Sequence, residues 1–382
     1  AAWTVLAQCA AAFAARMLGA PTAAVWCLHL AMFFGQGGYV AAPPRGYPGI
    51  LPKVRRWNYQ YSACSMLRLV SWSLRPCGAT GAPRPSRRGM GGLLDEAALL
   101  VAYASYYPLF VDGPVCDFDS FAESVWSTAP PPSRWVRARE LAGSAARLAG
   151  AALVMEVLLH TIMFPSVFFT HHAGAFPGLG APTWAALGVL HLASSFVTAW
   201  FQWEVPRALA AAAGVPVAAD LRLGDVTALR TWRQMWARYH RSWHLFFSRH
   251  VYVPSGGGTR GVAVVVALSW VLHLGPALGS GLDKFRYHAR TLALYWGVQG
   301  LALAGEVALA RRGGGGPPTP TAEVANHALL LSFAAAVEVW CYGVLPVRAA
   351  AHAAWAGVAI AAAAGMGRAA DRAVRSIHGK AV

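Results

Sequence analysis

Thr231 to Gly258 reads TWRQMWARYHRSWHLFFSRHVYVPSGGG, the most polar and aromatic stretch of a chain otherwise rich in Ala, Val and Leu. Trp232, Trp236, Tyr239, Trp243 and Phe246 step by four, three, four and three, the spacing of one helix face. Such a stripe is first of all a packing or interface face. Arg230, Arg233, Arg238 and Arg241 are spread over the other faces. A helix this polar is too costly to sit in lipid, so it is expected at an interface or along a polar cavity. Pro254 and the Ser-Gly-Gly-Gly that follows should end it. Just downstream, Gly261 to Leu282 is apolar and carries His273 midway.

The rest of the chain explains why a polar island matters. Of 382 residues, 56% are hydrophobic and 13% charged, against about 25% charged in soluble domains. Mean hydropathy is +0.41. Charge is depleted where burying it in hydrocarbon is costly, so the composition reads as an all-α polytopic membrane protein. Apolar runs fall at Ala1 to Leu18, Thr22 to Phe34, Leu93 to Val111, Ala142 to Thr170, Thr183 to Trp203, Gly261 to Leu282, Arg290 to Ala310, Ala325 to Leu345 and Ala349 to Gly367. Tyr59 to Leu74, with Arg68 and Arg75, is amphipathic and reads as re-entrant or interfacial. The sum is about nine or ten membrane segments plus re-entrant or interfacial helices, taking about 20 apolar residues per span. Residues 1–382 read as a single integral membrane domain. The chain begins inside an apolar run without Met, so a preceding segment is expected.

The remaining charge is basic, 32 Lys and Arg against 16 Asp and Glu. The basic residues cluster in short loops between apolar runs, which suits the positive-inside pattern and anionic headgroups. Membrane lipids, and not nucleic acid, are the expected partners. The six cysteines include no CxxC pair, so neither a disulfide framework nor a zinc ribbon is expected.

Three histidines stand out. His240 and His244 are four apart, but Arg241 stands where a zinc-protease motif needs Glu, and its charge would repel a dication. No metal site is expected. His273 lies in Ala267-Leu268-Ser269-Trp270-Val271-Leu272-His273. An ionisable residue at membrane depth is a functional candidate by default, and a neutral imidazole is a competent general base. The competing reading is a neutral histidine bonded to a backbone carbonyl. The carboxylates Glu156, Glu306 and Glu338 are expected to hydrogen-bond between helices.

Four motifs together resemble the membrane-bound O-acyltransferase superfamily, nearest to its glycerol-uptake-protein and Hedgehog-acyltransferase-like subgroup. Tyr239 to His244 followed by Arg249 to Gly257 is similar to that subgroup's WHRSFN…RYIYVPLGG. Trp270 to His273 falls where the family carries its intramembrane catalytic histidine. Tyr107 to Val115 resembles PLYLAGPI, and Asn58 to Ser73, with Met66-Leu67-Arg68, resembles a helix containing TMLR. The likeness runs over residues 57–306. The chain departs from the pattern at Tyr239 for Trp, His244 for Asn, Ser255 for Leu and Asp112 for a small residue. The 33 residues from His240 to His273 are few for the family.

The resemblance implies a helical chamber of that superfamily's type, in the endoplasmic reticulum. It implies transfer of a fatty acyl group from acyl-CoA, a co-substrate and not a bound cofactor, to a hydroxyl or amine of a lipid or protein acceptor. Lysolipid or glycosylphosphatidylinositol-anchor remodelling is the subgroup's expectation. His273 would be the base and His240 the second polar group. Arg249, Arg241 and Arg233 would pair with CoA phosphates, a solvated basic cluster being the competing reading. Trp243, His244, Tyr252 and Trp270 would line the substrate path, with packing as the alternative. A glycerol transporter and a catalytically silent regulator are the other functional readings.

Overall fold

The computed structural model describes residues 2–41, 64–75, 90–109, 113–127, 133–162, 181–215, 217–222, 231–274 and 282–311. These residues form helices and no strand. The expected spans Ala325 to Leu345 and Ala349 to Gly367, together with Glu338, Pro165, Asp112 and Gly275-Pro276, lie outside the described residues, as does the first part of the Asn58 to Ser73 motif.

In order, the helices are α1 (Ala2–Met17), α2 (Thr22–Ala41), α3 (64–73), α4 (Met90–Ala104), α5 (Phe118–Trp126), α6 (Arg134–Ile162), α7 (Ala181–Ala212), α8 (Trp232–Arg238), α9 (Arg241–Phe247), α10 (Gly258–His273) and α11 (Leu282–Arg311). A short turn, Tyr107–Leu109, follows α4. The wide turn Ser248–Tyr252 follows α9. One helical stretch among the described residues, Arg134–Thr161, is long and apolar enough to cross a membrane, and little of it is buried. Val5–Met17, Thr22–Gly35 and Gly258–His273 are shorter apolar helices.

The chain divides into two compact units. The first comprises Ala1–Leu148, Phe201–Asp220 and His240–Trp296. Helix α3 is its centre: every residue from 64 to 73 is buried. The amphipathic pattern of this stretch is therefore satisfied inside protein and not at a surface. Trp72 and Leu69 pack with Val5, Cys9, Tyr103, Phe118 and Phe121 on one side. Met66, Leu67 and Val70 pack with Phe33, Val115, Phe246, Val251 and Leu272 on the other. Arg68, 1% exposed, survives there because its guanidinium donates to the carbonyls of Tyr103 and Leu109. A buried cation without such acceptors would be strongly destabilising.

The second unit comprises Ala149–Trp200, Leu221–Tyr239 and Gly297–Val382. Within it Glu306 of α11 accepts the backbone N–H groups of Trp232 and Arg233 at 2.7 and 3.0 Å. Thr231 Oγ1 accepts from Gln234 N at 3.1 Å. Three of the donors that a helix start leaves unpaired are thus satisfied, and Glu306 bonds between helices as expected. Glu156 instead pairs with His160 at 3.6 Å on its own exposed helix face. Residues four apart meet on one helix, and nothing brings another helix to them among the bonds described.

The aromatic stripe is not one helix face. Tyr239 is extended (φ −85°, ψ 123°) and His240 is left-handed (φ 55°, ψ 51°), so α8 stops and α9 starts afresh. The cause is distant in sequence. The main-chain carbonyl of Asp220 takes the Arg241 N–H at 3.0 Å. Its carboxylate takes the Ser242 N–H at 2.5 Å. Those donors serve Asp220 in place of an uninterrupted helix.

A candidate active site around His240 and His273

His240 is built from three directions. A left-handed backbone is costly for a residue with a Cβ, and such strain concentrates at functional sites. His240 is the one non-glycine with positive φ among the described residues. Its Nδ1 lies 2.8 Å from Asp220 Oδ2. A carboxylate accepts, so Nδ1 carries the hydrogen and a neutral ring keeps its lone pair on Nε2. The ring stacks on Trp203 of α7, centroids 4.0 Å apart and planes 19° from parallel. Trp243 closes a further side at 4.8 Å.

Each support is itself held. The Asp220 side chain is wholly buried, and its Oδ2 also accepts from Ser242 Oγ at 2.9 Å. Ser242 Oγ in turn accepts the Val115 N–H at 2.8 Å. Trp203 precedes Glu204, which accepts from Ser144, Arg147 and Arg207 at 2.6–2.9 Å and so fixes this part of α7 against the start of α6. The Tyr107 to Val115 motif and the Met66-Leu67-Arg68 motif meet through Arg68 and Leu109. The motifs read separately in the sequence therefore converge on one polar lattice.

His273 is held locally. It is the last residue of α10, not midway along a continuous helix. Its Nδ1 donates to Ser269 O at 2.7 Å, one turn back. That carbonyl can only accept, so Nε2 again keeps the lone pair. Trp296 of α11 lies 5.0 Å from the ring. His273 is exposed at the end of its helix. Both histidines belong to the first unit.

α10 is anchored at its other end by Tyr252. Gly256, Gly257 and Gly258 all take positive φ (86°, 63° and 61°), which only glycine adopts without strain. Tyr252 Oη accepts the Gly258 N–H at 2.9 Å. Its ring lies so close to Gly261 that a Cβ there would meet it at 2.6 Å. The Tyr-Val-Pro-Ser-Gly-Gly-Gly sequence is thus a clamp for the helix that carries His273. Trp270 Nε1 donates to Ala289 O at 3.2 Å and ties α10 to α11.

The other candidate residues are distributed differently. Arg249 pairs with Asp117, whose Oδ1 also accepts from Ser71 at 3.4 Å and faces His250 at 3.8 Å. Burial pushes the Asp117 carboxyl up, but the nearby His250 and the Arg249 charge outweigh it and hold it below the usual range. Arg241 is exposed beside His244. Burial, and then the Arg241 charge, push the His244 imidazole below its usual value. Arg233 is exposed on α8 in the second unit. Among the described residues no three His, Cys, Asp or Glu side chains converge as metal ligands. The sequence reading missed Asp220, Trp203 and Trp296. The available signal for Asp220 was slight: it and Asp225 are the two acids in the connector after α7 of an acid-poor chain.

Two imidazoles with anchored Nδ1 and tryptophan rings beside them are chemically able to exchange a proton. Residues 96–273 match the model of MBOAT, the membrane-bound O-acyltransferase family. The MBOAT match takes in just under half of the chain, includes Asp117, Asp220 and His240, and ends on His273. It supports the superfamily and, with it, membrane-bound acyl transfer in general. No curated protein matches the chain.

Proposed function

We propose that the chain is a membrane-bound acyltransferase that moves a fatty acyl group from acyl-CoA to a hydroxyl or amine of a lipid or protein acceptor. What supports this reading is the presence of His240 and His273 in one compact unit, each with its Nδ1 in a hydrogen bond. The acceptor's oxygen or nitrogen attacks the thioester carbonyl while His273 Nε2 takes its proton. The carbon–sulfur bond breaks, and the CoA thiolate leaves with that proton. His240 orients the acceptor or polarises the reacting carbonyl.

Arg249 and Arg241 are exposed near α9 and offer guanidinium groups for CoA phosphates. Lysolipid or glycosylphosphatidylinositol-anchor remodelling in the endoplasmic reticulum is the acceptor chemistry and location that the subgroup resemblance favours. Membranes carrying the chain should transfer labelled acyl groups from acyl-CoA, and His273→Ala should abolish this with the protein still folded. Unchanged transfer in that variant would remove His273 from the mechanism. Glycerol flux into proteoliposomes without acyl-CoA turnover would replace the enzyme reading by a transporter.

A further inference from the structure

We propose that Asp220 is a positioning residue for His240, holding its imidazole in the Nδ1–H tautomer and in one orientation. The inference rests on the acyltransferase reading for its kinetic consequence, and on geometry alone for the tautomer. Asp220 and His240 are 20 residues apart, joined at 2.8 Å.

Both carboxylate oxygens are committed. Oδ1 accepts the Ser242 N–H at 2.5 Å, and Oδ2 accepts the Ser242 hydroxyl at 2.9 Å and the His240 Nδ1–H. Nothing about the carboxylate is free to turn, because its side chain has no exposure. The Trp203 stack fixes the ring plane while the carboxylate fixes rotation within it. A plain structural cap would need only the Ser242 N–H. The extra bond to an imidazole on a strained left-handed residue is what points to a role in the chemistry.

Asp220→Asn separates these functions. The amide oxygen still accepts the Ser242 N–H, but its NH2 then faces His240 Nδ1. Two donors cannot meet, so the ring must present a lone pair at Nδ1 and move its hydrogen to Nε2. The expected result is a fall in kcat of about 10²-fold with KM roughly unchanged. The same substitution in a His240→Ala background should cost nothing more, since its route to the chemistry is gone.

The experiment combines that cycle with nitrogen NMR of histidine-labelled protein, the His240 signals being those missing from His240→Ala. Wild type should show His240 protonated at Nδ1, and Asp220→Asn should shift the hydrogen to Nε2. An Nε2–H tautomer in wild type, or losses that simply multiply in the double variant, would overturn the proposal. If Asp220→Asn does not fold, Ser242→Ala loosens the same Oδ2 and should give a smaller kcat loss that also vanishes without His240. Should wild type transfer no acyl group, the acyltransferase reading fails while the tautomer still decides the role of Asp220.

Discussion

Around His240 the fixing bonds come from far along the chain; around His273 they come from the preceding helical turn. Asp220, Trp203 and, through Ser242, Val115 converge on the first. Ser269 holds the second, with Trp296 beside it. A group that must carry a proton back and forth needs a free nitrogen and little else. A group that must aim at a substrate needs its ring fixed in every direction. The difference in support thus matches a division between base and orienting group.

The sharpest way to break that division is to remove each ring in turn. His273→Ala should lower acyl transfer by about 10³-fold or more, as loss of a general base does, and His240→Ala by about 10²-fold. Equal losses in a labelled-acyl assay would erase the distinction. Next, Gly261→Ala should disturb the His273 side alone. Its new Cβ meets the Tyr252 ring at 2.6 Å and the Tyr252 carbonyl at 3.0 Å, so the clamp at the start of α10 must shift. Overpacking of this kind costs about 1–3 kcal/mol, readable as a lower melting temperature in detergent. Trp203→Leu should act on the His240 side alone, costing about 0.5–1.5 kcal/mol of ring-stacking energy. Its signature is a changed kcat with the melting temperature little altered.

Smaller effects come from the charges around α9. The His244 ring has a lowered folded pKa, so the unfolded chain takes up its proton first as pH falls. Stability from this group is intact above the unfolded value of 6.5 and declines below it. His244→Gln should flatten melting temperature between neutral and mildly acidic pH. Asp117 follows the same sign at lower pH: its lowered pKa stabilises the fold above the ordinary value of 3.8, and the contribution fades as pH falls further. Because the Arg249 side chain is 61% exposed, Arg249→Ala should cost no more than about 1 kcal/mol at neutral pH. A larger loss of transfer at low acyl-CoA, with the fold intact, would assign Arg249 to phosphate binding.

His273, the glycine run and the apolar helix between them were legible because each depends on neighbours in sequence. A helix of 16 residues, a Tyr nine positions before a required Gly and an imidazole one turn from its acceptor are all local patterns. The break at Tyr239 and His240 was not legible. The stripe from Trp232 to Phe246 has helical spacing throughout, and only Asp220, packed in from another segment, takes the backbone donors that would have continued it. Propensity reads short range, and tertiary capping overrides it. The same limit hid Trp203 and Trp296, whose place beside the histidines depends on how α7 and α11 pack within the first unit. It also hid how Arg68 of α3 is satisfied: alternation of polar and apolar residues cannot tell water from the carbonyls of Tyr103 and Leu109.

Length gives α6 a further consequence. The helical stretch Arg134–Thr161, 28 residues long, extends roughly 42 Å at 1.5 Å per residue. The hydrocarbon of a bilayer is about 30 Å deep. Laid across one, the helix either leans or stands proud by about two turns, and its first turns carry Arg134, Trp135, Arg137 and Arg139, with Trp135 85% exposed. Arginine and tryptophan suit the headgroup layer, so the surplus is expected at that end, and the positive-inside pattern predicts that it faces the cytosol. A cysteine introduced at Ser133 should then react with an impermeant thiol reagent from the cytosolic side, giving the whole chain its compass.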